Sequence, residues 1–252
     1  RQLVDGNVAH AANARHKRPP PPRGEGWGSL PPDPGSENPM TDLARHATWR
    51  EILSQPAIWR DWGARLPVSE LRHWIAATGV TEVWFCGAGT SAYIGDILAA
   101  GLEGQPGLRL RPIPTTDIVA RPRAYLTGQP KLIASFGRSG NSTESIGLLD
   151  ALDTLAPGWP RLNITCNATS ALATRPGAKV IILPDATHDQ GFAMTSSFST
   201  MLLTAAALFD PGLPAQETSK RLVTLADNLQ TLLPSFTAEA GATRRPARAV
   251  FL

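Results

Sequence analysis

The stretch Ser135 to Ser145, SFGRSGNSTES, places glycines, an arginine and several hydroxyls between two apolar segments, KLIASF before it and IGLLDALDTL after it. Gly137 and Gly140 let a backbone come close to a ligand. Arg138 carries a forked cation that matches phosphate, and Ser139 and Ser142 add hydroxyls. A helix opening at Ser142 would turn its unpaired N–H groups and the positive end of its dipole to the same spot. The chemistry of such a junction is anion binding. A plain turn with a Ser142 cap would use many of the same residues. Glu144 and Ser145, in the first helical turn, suit cap and dipole support better than contact.

A second junction has the same character. GAGTSAYIG, Gly87 to Gly95, follows the apolar VTEVWFC; Gly89 permits a tight turn, and Thr90 and Ser91 stand at a helix start, where N-caps and anion sites both favour hydroxyls. Gly87, Gly89 and Ala92 also fit the dinucleotide fingerprint G-x-G-x-x-A. That fingerprint expects an acidic residue closing the next strand. The chain has LRLRPIP there, and Asp117 comes several residues late. Neither loop is followed by a Walker lysine. Two hydroxyl-rich loops opening helices from neighbouring strands suit one monophosphate, a site that a dinucleotide does not need.

The third cluster is THDQGFAMTSSFS, Thr187 to Ser199. His188 has no second histidine at ligand spacing, so no metal site is expected. His188 or Asp189 is a candidate for proton transfer on a bound sugar, with Gln190 as a contact to it. Thr195, Ser196 and Ser197 fit the start of the helix that follows.

These loops need a frame. Helical patterning runs from Thr41, with Leu43, Ala47, Ile52, Leu53, Ile58 and Trp59 roughly on one side, and a second short helix spans Leu66 to Ala77. Strands are expected at Val80–Cys86, Leu108–Ile113, Lys131–Phe136, Arg161–Cys166 and Lys179–Leu183. Helices are expected at Thr90–Leu102, Ser142–Leu155, Ala193–Phe209 and Ala215–Leu233. The strands are rich in Val, Ile and Leu with little alternation, as in a parallel sheet buried on both faces. The expected fold is therefore α/β: a doubly wound, flavodoxin-like, five-stranded parallel sheet flanked by helices, with N-terminal helices added. Such sheets bind ligands beyond the carboxyl ends of their strands, where the strand order reverses. The loops after VWFC and IASF are the ones in question.

The division expected is a leader over 1–39, a helical segment over 40–78, the α/β domain over 79–212, a helical linker over 213–246, and the first strand of a further α/β unit over 247–252. The leader is dense in proline and glycine. It reads as a disordered tail or as translated upstream sequence, and Met40 makes the second reading the favoured one. The closing ARAVFL reads as a strand that begins a further sheet, or as an edge strand of the sheet before it.

Composition narrows the function. Among 252 residues the net charge is only +3, and the basic runs HKRPPPPR and TRRPAR have no aromatic residues among them, so nucleic acid is not the expected partner. No apolar run approaches the about 18 residues that a membrane span needs. Cys86 and Cys166 are expected as free, half-buried thiols in a reducing cytoplasm. The triplets at Asn141, Asn163 and Asn167 fit the glycosylation pattern by chance on this reading.

GAGTS, SFGRSGNSTES, LNITCN, TTDIVARPRAYL and LPDATHDQGFAMTSSFSTMLL together resemble the sugar isomerase (SIS) family, over about Met40 to Leu252. The last of these and LNITCN resemble its AgaS-type branch of ketose/aldose isomerases and galactosamine-6-phosphate deaminases, and TTDIVARPRAYL, Thr115 to Leu126, fits that branch too. The resemblance implies two SIS domains in tandem, a homodimer at full length, no cofactor, and a hexose or aminohexose 6-phosphate as substrate. It implies that Thr90, Ser91, Arg138, Ser139 and Ser142, beside Gly89 and Gly140, surround the phosphate. Two departures stand out. Gly137 replaces a hydroxyl found in the related isomerase domain of the hexosamine-forming transaminase, and Ser196 replaces its lysine. The family's main carboxylate and histidine for proton transfer lie in the second SIS domain. This chain would then hold the phosphate, with little turnover of its own. Other readings are a sugar-phosphate-sensing module without chemistry and a nicotinamide enzyme.

Overall fold

The computed structural model describes residues 43–104 and 107–242; the expectations for 1–39 and 247–252 lie outside them. Two helices lead, α1 (Ala47–Arg65) and α2 (Val68–Ala77). Strands and helices then alternate: β1 (Glu82–Cys86), α3 (Thr90–Gly101), β2 (Arg109–Pro112), the short α4 (Thr115–Ala120) and α5 (Pro122–Tyr125), β3 (Leu132–Gly137), α6 (Thr143–Leu155), β4 (Arg161–Thr165), the one-turn α7 (Ala171–Thr174), β5 (Lys179–Ile182), a 3-10 turn at Asp185–Thr187, α8 (Ser196–Phe209) and α9 (Ala215–Ala242).

The five strands form one parallel sheet in the order β2-β1-β3-β4-β5. The order reverses between β1 and β3, which pair from Val83↔Leu132 to Cys86↔Ser135. The loops that leave these two strands therefore open side by side at the carboxyl edge, the place where such sheets take ligands. The three inner strands are buried almost throughout, and the edge strands β2 and β5 only in part. This explains why EVWFC and LIASFG show no alternation: both faces are covered.

One face carries Phe85, Leu132, Ala134 and Ile164 against Ile94 of α3 and Met201 and Leu208 of α8; Trp62 of α1 and Leu71 and Ile75 of α2 join the same core. The other carries Trp84, Cys86 and Ile133 against Leu148 and Leu152 of α6 and Trp159. Helix α1 is also tied to α8 by indole donors: Trp59 Nε1 to Ser199 Oγ at 3.3 Å and Trp62 Nε1 to Thr204 Oγ1 at 2.8 Å.

Two boundaries and the burial of two thiols differ from expectation. Helix α9 runs through Pro234 to Ala242 instead of stopping at Leu233. Its buried residues Leu222, Ala226 and Leu233 all precede the proline, and the turns that follow Pro234 are largely exposed. Helix α8 begins at Ser196 rather than Ala193, for a reason given below. The thiols of Cys86 and Cys166 are free and fully rather than half buried. Burial raises both pKa values, that of Cys166 to about 11. Both are kept as inert thiols. None of the helices among the described residues is long and apolar enough to cross a membrane.

Candidate functional site

β1 ends at Cys86, and the chain must turn at once into α3. A Cβ on Gly87 would lie 2.4 Å from the Ser91 carbonyl group, so only glycine fits under the helix start. Ser91 is buried at 5% exposure, with its hydroxyl donating to Met194 Sδ at 3.8 Å. Thr90 stays exposed on the same first turn.

β3 ends at Gly137, and the second loop follows. Gly140 turns with φ +64°, and a Cβ there would meet Ser170 Oγ at 2.4 Å and Thr165 Oγ1 at 2.9 Å. The loop is anchored from the β4–α7 side. Asn167 Nδ2 donates to the Ser139 carbonyl (3.1 Å), the Ala171 N–H to Asn141 Oδ1 (2.8 Å), and the Leu172 N–H to the Gly140 carbonyl (3.2 Å). Ser142 caps α6, with its Oγ accepting the Ser145 N–H at 3.2 Å. Gly140→Ala should destabilise the domain by about 2–3 kcal/mol, from left-handed strain plus the clash with Ser170, as read by urea unfolding.

The two loops line one pocket of about 300 Å³. Gly89 and Ser91 come from the first, and Arg138, Ser139, Gly140 and Ser142 from the second, with Met194 completing the wall. Glu144 and Ser145, which the sequence reading kept for helix support, also face it. Its donors are the starts of α3 and α6, four serine hydroxyls and one guanidinium. That set suits a compact anion such as a phosphate monoester. Larger cavities lie elsewhere, one of about 500 Å³ around Arg72, Ile75 and Phe209. Arg72 is spent there on the Ala207 and Asp210 carbonyls at the end of α8.

Thr90, His188, Asp189 and Gln190 are not in the pocket lining. For Thr90 the reason is that Ser91, one position on, is the residue buried against Met194. His188 and Gln190 are exposed, and Gln190 Nε2 donates to the His188 carbonyl at 3.1 Å. Asp189 is buried, at 6% exposure. Its carboxylate accepts the N–H groups of Thr195 (2.9 Å), Ser196 (3.1 Å) and Ser197 (2.9 Å) and the hydroxyls of all three. Burial pushes its pKa up, but the bonds from Ser196, Ser197 and Thr195 outweigh that and hold it below the ordinary 3.8. Asp189 thus caps α8 from a distance. This is why the helix opens at Ser196: Thr195, with φ −122° and ψ −84°, bends the chain so that three N–H groups reach one carboxylate.

One residue escaped the sequence reading. Glu51 of α1 accepts the N–H groups of Gln190 (2.6 Å) and Gly191 (2.8 Å) on Oε1, and the Thr195 hydroxyl (3.3 Å) on Oε2. Its partners are mostly backbone groups more than a hundred residues away, and they leave no mark in the sequence. The Gly191 carbonyl in turn accepts from Arg138 Nη1 at 3.2 Å. No group of three His, Cys, Asp or Glu side chains placed to hold a metal exists among the described residues.

No family model matches the chain. D-galactosamine-6-phosphate deaminase AgaS of Escherichia coli O157:H7 is 42% identical over 211 residues, which cover 79% of this chain and 54% of that protein. D-galactosamine-6-phosphate deaminase AgaS of Shewanella sp. (strain ANA-3) is 39% identical over 188 residues, 70% of this chain and 49% of that protein. The crystal structure of tagatose-6-phosphate ketose/aldose isomerase from Escherichia coli superposes with a TM-score of 0.70 at 36% identity, over 77% of this chain and 55% of that one. The chain spans about half the length of the curated relatives it matches. Sequence likeness at that level and a shared parallel sheet lead to one conclusion: over most of its length the chain is similar to AgaS-type proteins of the SIS-domain family.

Proposed function

We propose that this chain holds the phosphate of a hexose or aminohexose 6-phosphate, as the phosphate-binding half of a galactosamine-6-phosphate deaminase or tagatose-6-phosphate ketose/aldose isomerase. The observation that carries the reading is the convergence of Ser91, Arg138, Ser139 and Ser142 on one pocket at the switch point of the sheet. The relatives' names supply the sugar. In the whole protein, a base removes the proton from C2 and an acid protonates the neighbouring heteroatom. Isomerisation passes through an enediol; deamination passes through an enolamine, consumes water and releases ammonia. His188 stays a candidate for proton transfer once a sugar extends from the pocket toward its loop, and Gln190 for a sugar contact. Asp189, ionised and committed to α8, positions this loop. The main acid and base belong to a second SIS domain, a homodimer completes the site, and the cytoplasm is the compartment; the reaction needs no organic cofactor.

A second reading is a sensing module without chemistry. It draws on the pocket lining, where Arg138 and Glu144 are the ionisable groups and no histidine occurs. Calorimetric titration tests the shared core of both. Galactosamine 6-phosphate should bind to the chain at least tenfold more tightly than galactosamine. Equal binding of the two removes both readings. Turnover at a rate like that of a full-length relative would remove the expectation that proton transfer lies elsewhere.

A further inference from the structure

We propose that Glu51 is a positioning residue for the phosphate pocket, acting through the 189–195 loop on Arg138 and Met194. The inference rests on the phosphate-binding reading above. It starts from where the loop touches the pocket. Met194 receives the Ser91 hydroxyl of the first phosphate loop, and the Gly191 carbonyl receives Arg138 Nη1 of the second. One short segment therefore contacts both phosphate loops and forms the third wall of the cavity.

The segment does not hold itself. Two carboxylates pin it, Asp189 from within and Glu51 from α1. Glu51 Oε1 takes two successive backbone N–H groups, at 2.6 and 2.8 Å, a geometry that fixes the peptide between them. That peptide is followed directly by the carbonyl that holds Arg138. The approach of α1 is close: a Cβ on Gly191 would come within 2.4 Å of Thr48 Oγ1 and 2.7 Å of Glu51 Oε2. Anchoring one arm of the guanidinium on a fixed carbonyl leaves the rest of its fork for an anion and lowers the ordering cost of binding. Without Glu51 the Gln190 and Gly191 N–H groups lose their acceptor, the loop shifts, and Arg138 loses its stop.

The test is a double-mutant cycle on the full chain, read as affinity for galactosamine 6-phosphate by calorimetry or NMR titration, with circular dichroism as the folding control. Glu51→Ala should weaken binding about tenfold while Arg138 is present and about twofold or less in an Arg138→Ala background. Glu51→Gln, which keeps an oxygen for both N–H groups, should stay within about threefold of the unaltered chain. If Glu51→Ala binds normally, or loses the same factor with and without Arg138, the positioning role is wrong while the phosphate site stands. If the unaltered chain fails to prefer the phosphorylated sugar, both fall. Should Glu51→Ala not fold, Gly191→Ala displaces the loop with Glu51 intact. Normal affinity in that variant overturns the proposal, and a loss of about tenfold supports it.

Discussion

Replacing Asp189 with alanine should lower the thermal midpoint of the domain by about 6–12 °C. The carboxylate is buried and serves three consecutive N–H groups and three hydroxyls at the start of α8. Its loss leaves those donors with no acceptor in a site nearly closed to water, at a cost of about 3 kcal/mol in sum. For a domain of this size that free energy corresponds to the shift stated. Asparagine should cost nearly as much, because its NH₂ group would face N–H donors. The pH dependence has a definite sign. The folded carboxyl titrates below its ordinary 3.8. Its contribution is therefore fully present above the unfolded value and is lost as pH falls through the folded one. Urea melts of the chain and of Asp189→Asn should differ by a constant amount from pH 5 to 8. They should converge below about pH 4. A gap unchanged at pH 3 would show that the carboxylate's charge contributes nothing.

Arg138→Ala should reduce affinity for galactosamine 6-phosphate by about 10- to 100-fold. A charge-assisted hydrogen bond contributes about 1.5–3 kcal/mol, and Arg138 is the one guanidinium in the pocket lining. The change also leaves Glu144 in the lining with no cation beside it, which adds repulsion toward a dianion. Lysine should recover only part of the affinity, because its ammonium lacks the planar fork by which Arg138 can hold the Gly191 carbonyl on one arm and an anion on the others. Binding of unphosphorylated galactosamine should stay as weak as before. Unchanged affinity for the phosphorylated sugar in Arg138→Ala would remove the cradle as the binding site.

Much of this was legible in the residues. VTEVWFC, KLIASF and RLNITC read as buried parallel strands because their apolar runs lack alternation, and the sheet uses them as its inner strands. The two pocket-lining loops read from glycines and hydroxyls at strand ends, because a tight turn and a helix start restrict residue choice strongly. Ser142 as a cap was visible for the same reason. Asp189 was harder. In a sequence, an aspartate beside a histidine suggests proton transfer, while its actual partners are backbone N–H groups that every residue possesses. Glu51 was invisible for this reason doubled, since its partners are also remote. The end of α9 was misjudged in the opposite direction: the expected helix stopped at Leu233, the last residue of its buried stripe, while the helix runs on through Pro234 to Ala242.

The indole bonds of Trp59 and Trp62 bear on how this protein divides. Helix α1 looks like a preface, separable at residue 79 from the α/β domain that follows. Yet those two bonds fasten it to α8, its Trp62 shares a core with Phe85, and its Glu51 holds the loop that carries Met194 to the pocket wall. The piece that must be kept whole when such domains are cut, grafted or exchanged therefore begins before Ala47, and a seam at 79 would cut away the support of one pocket wall.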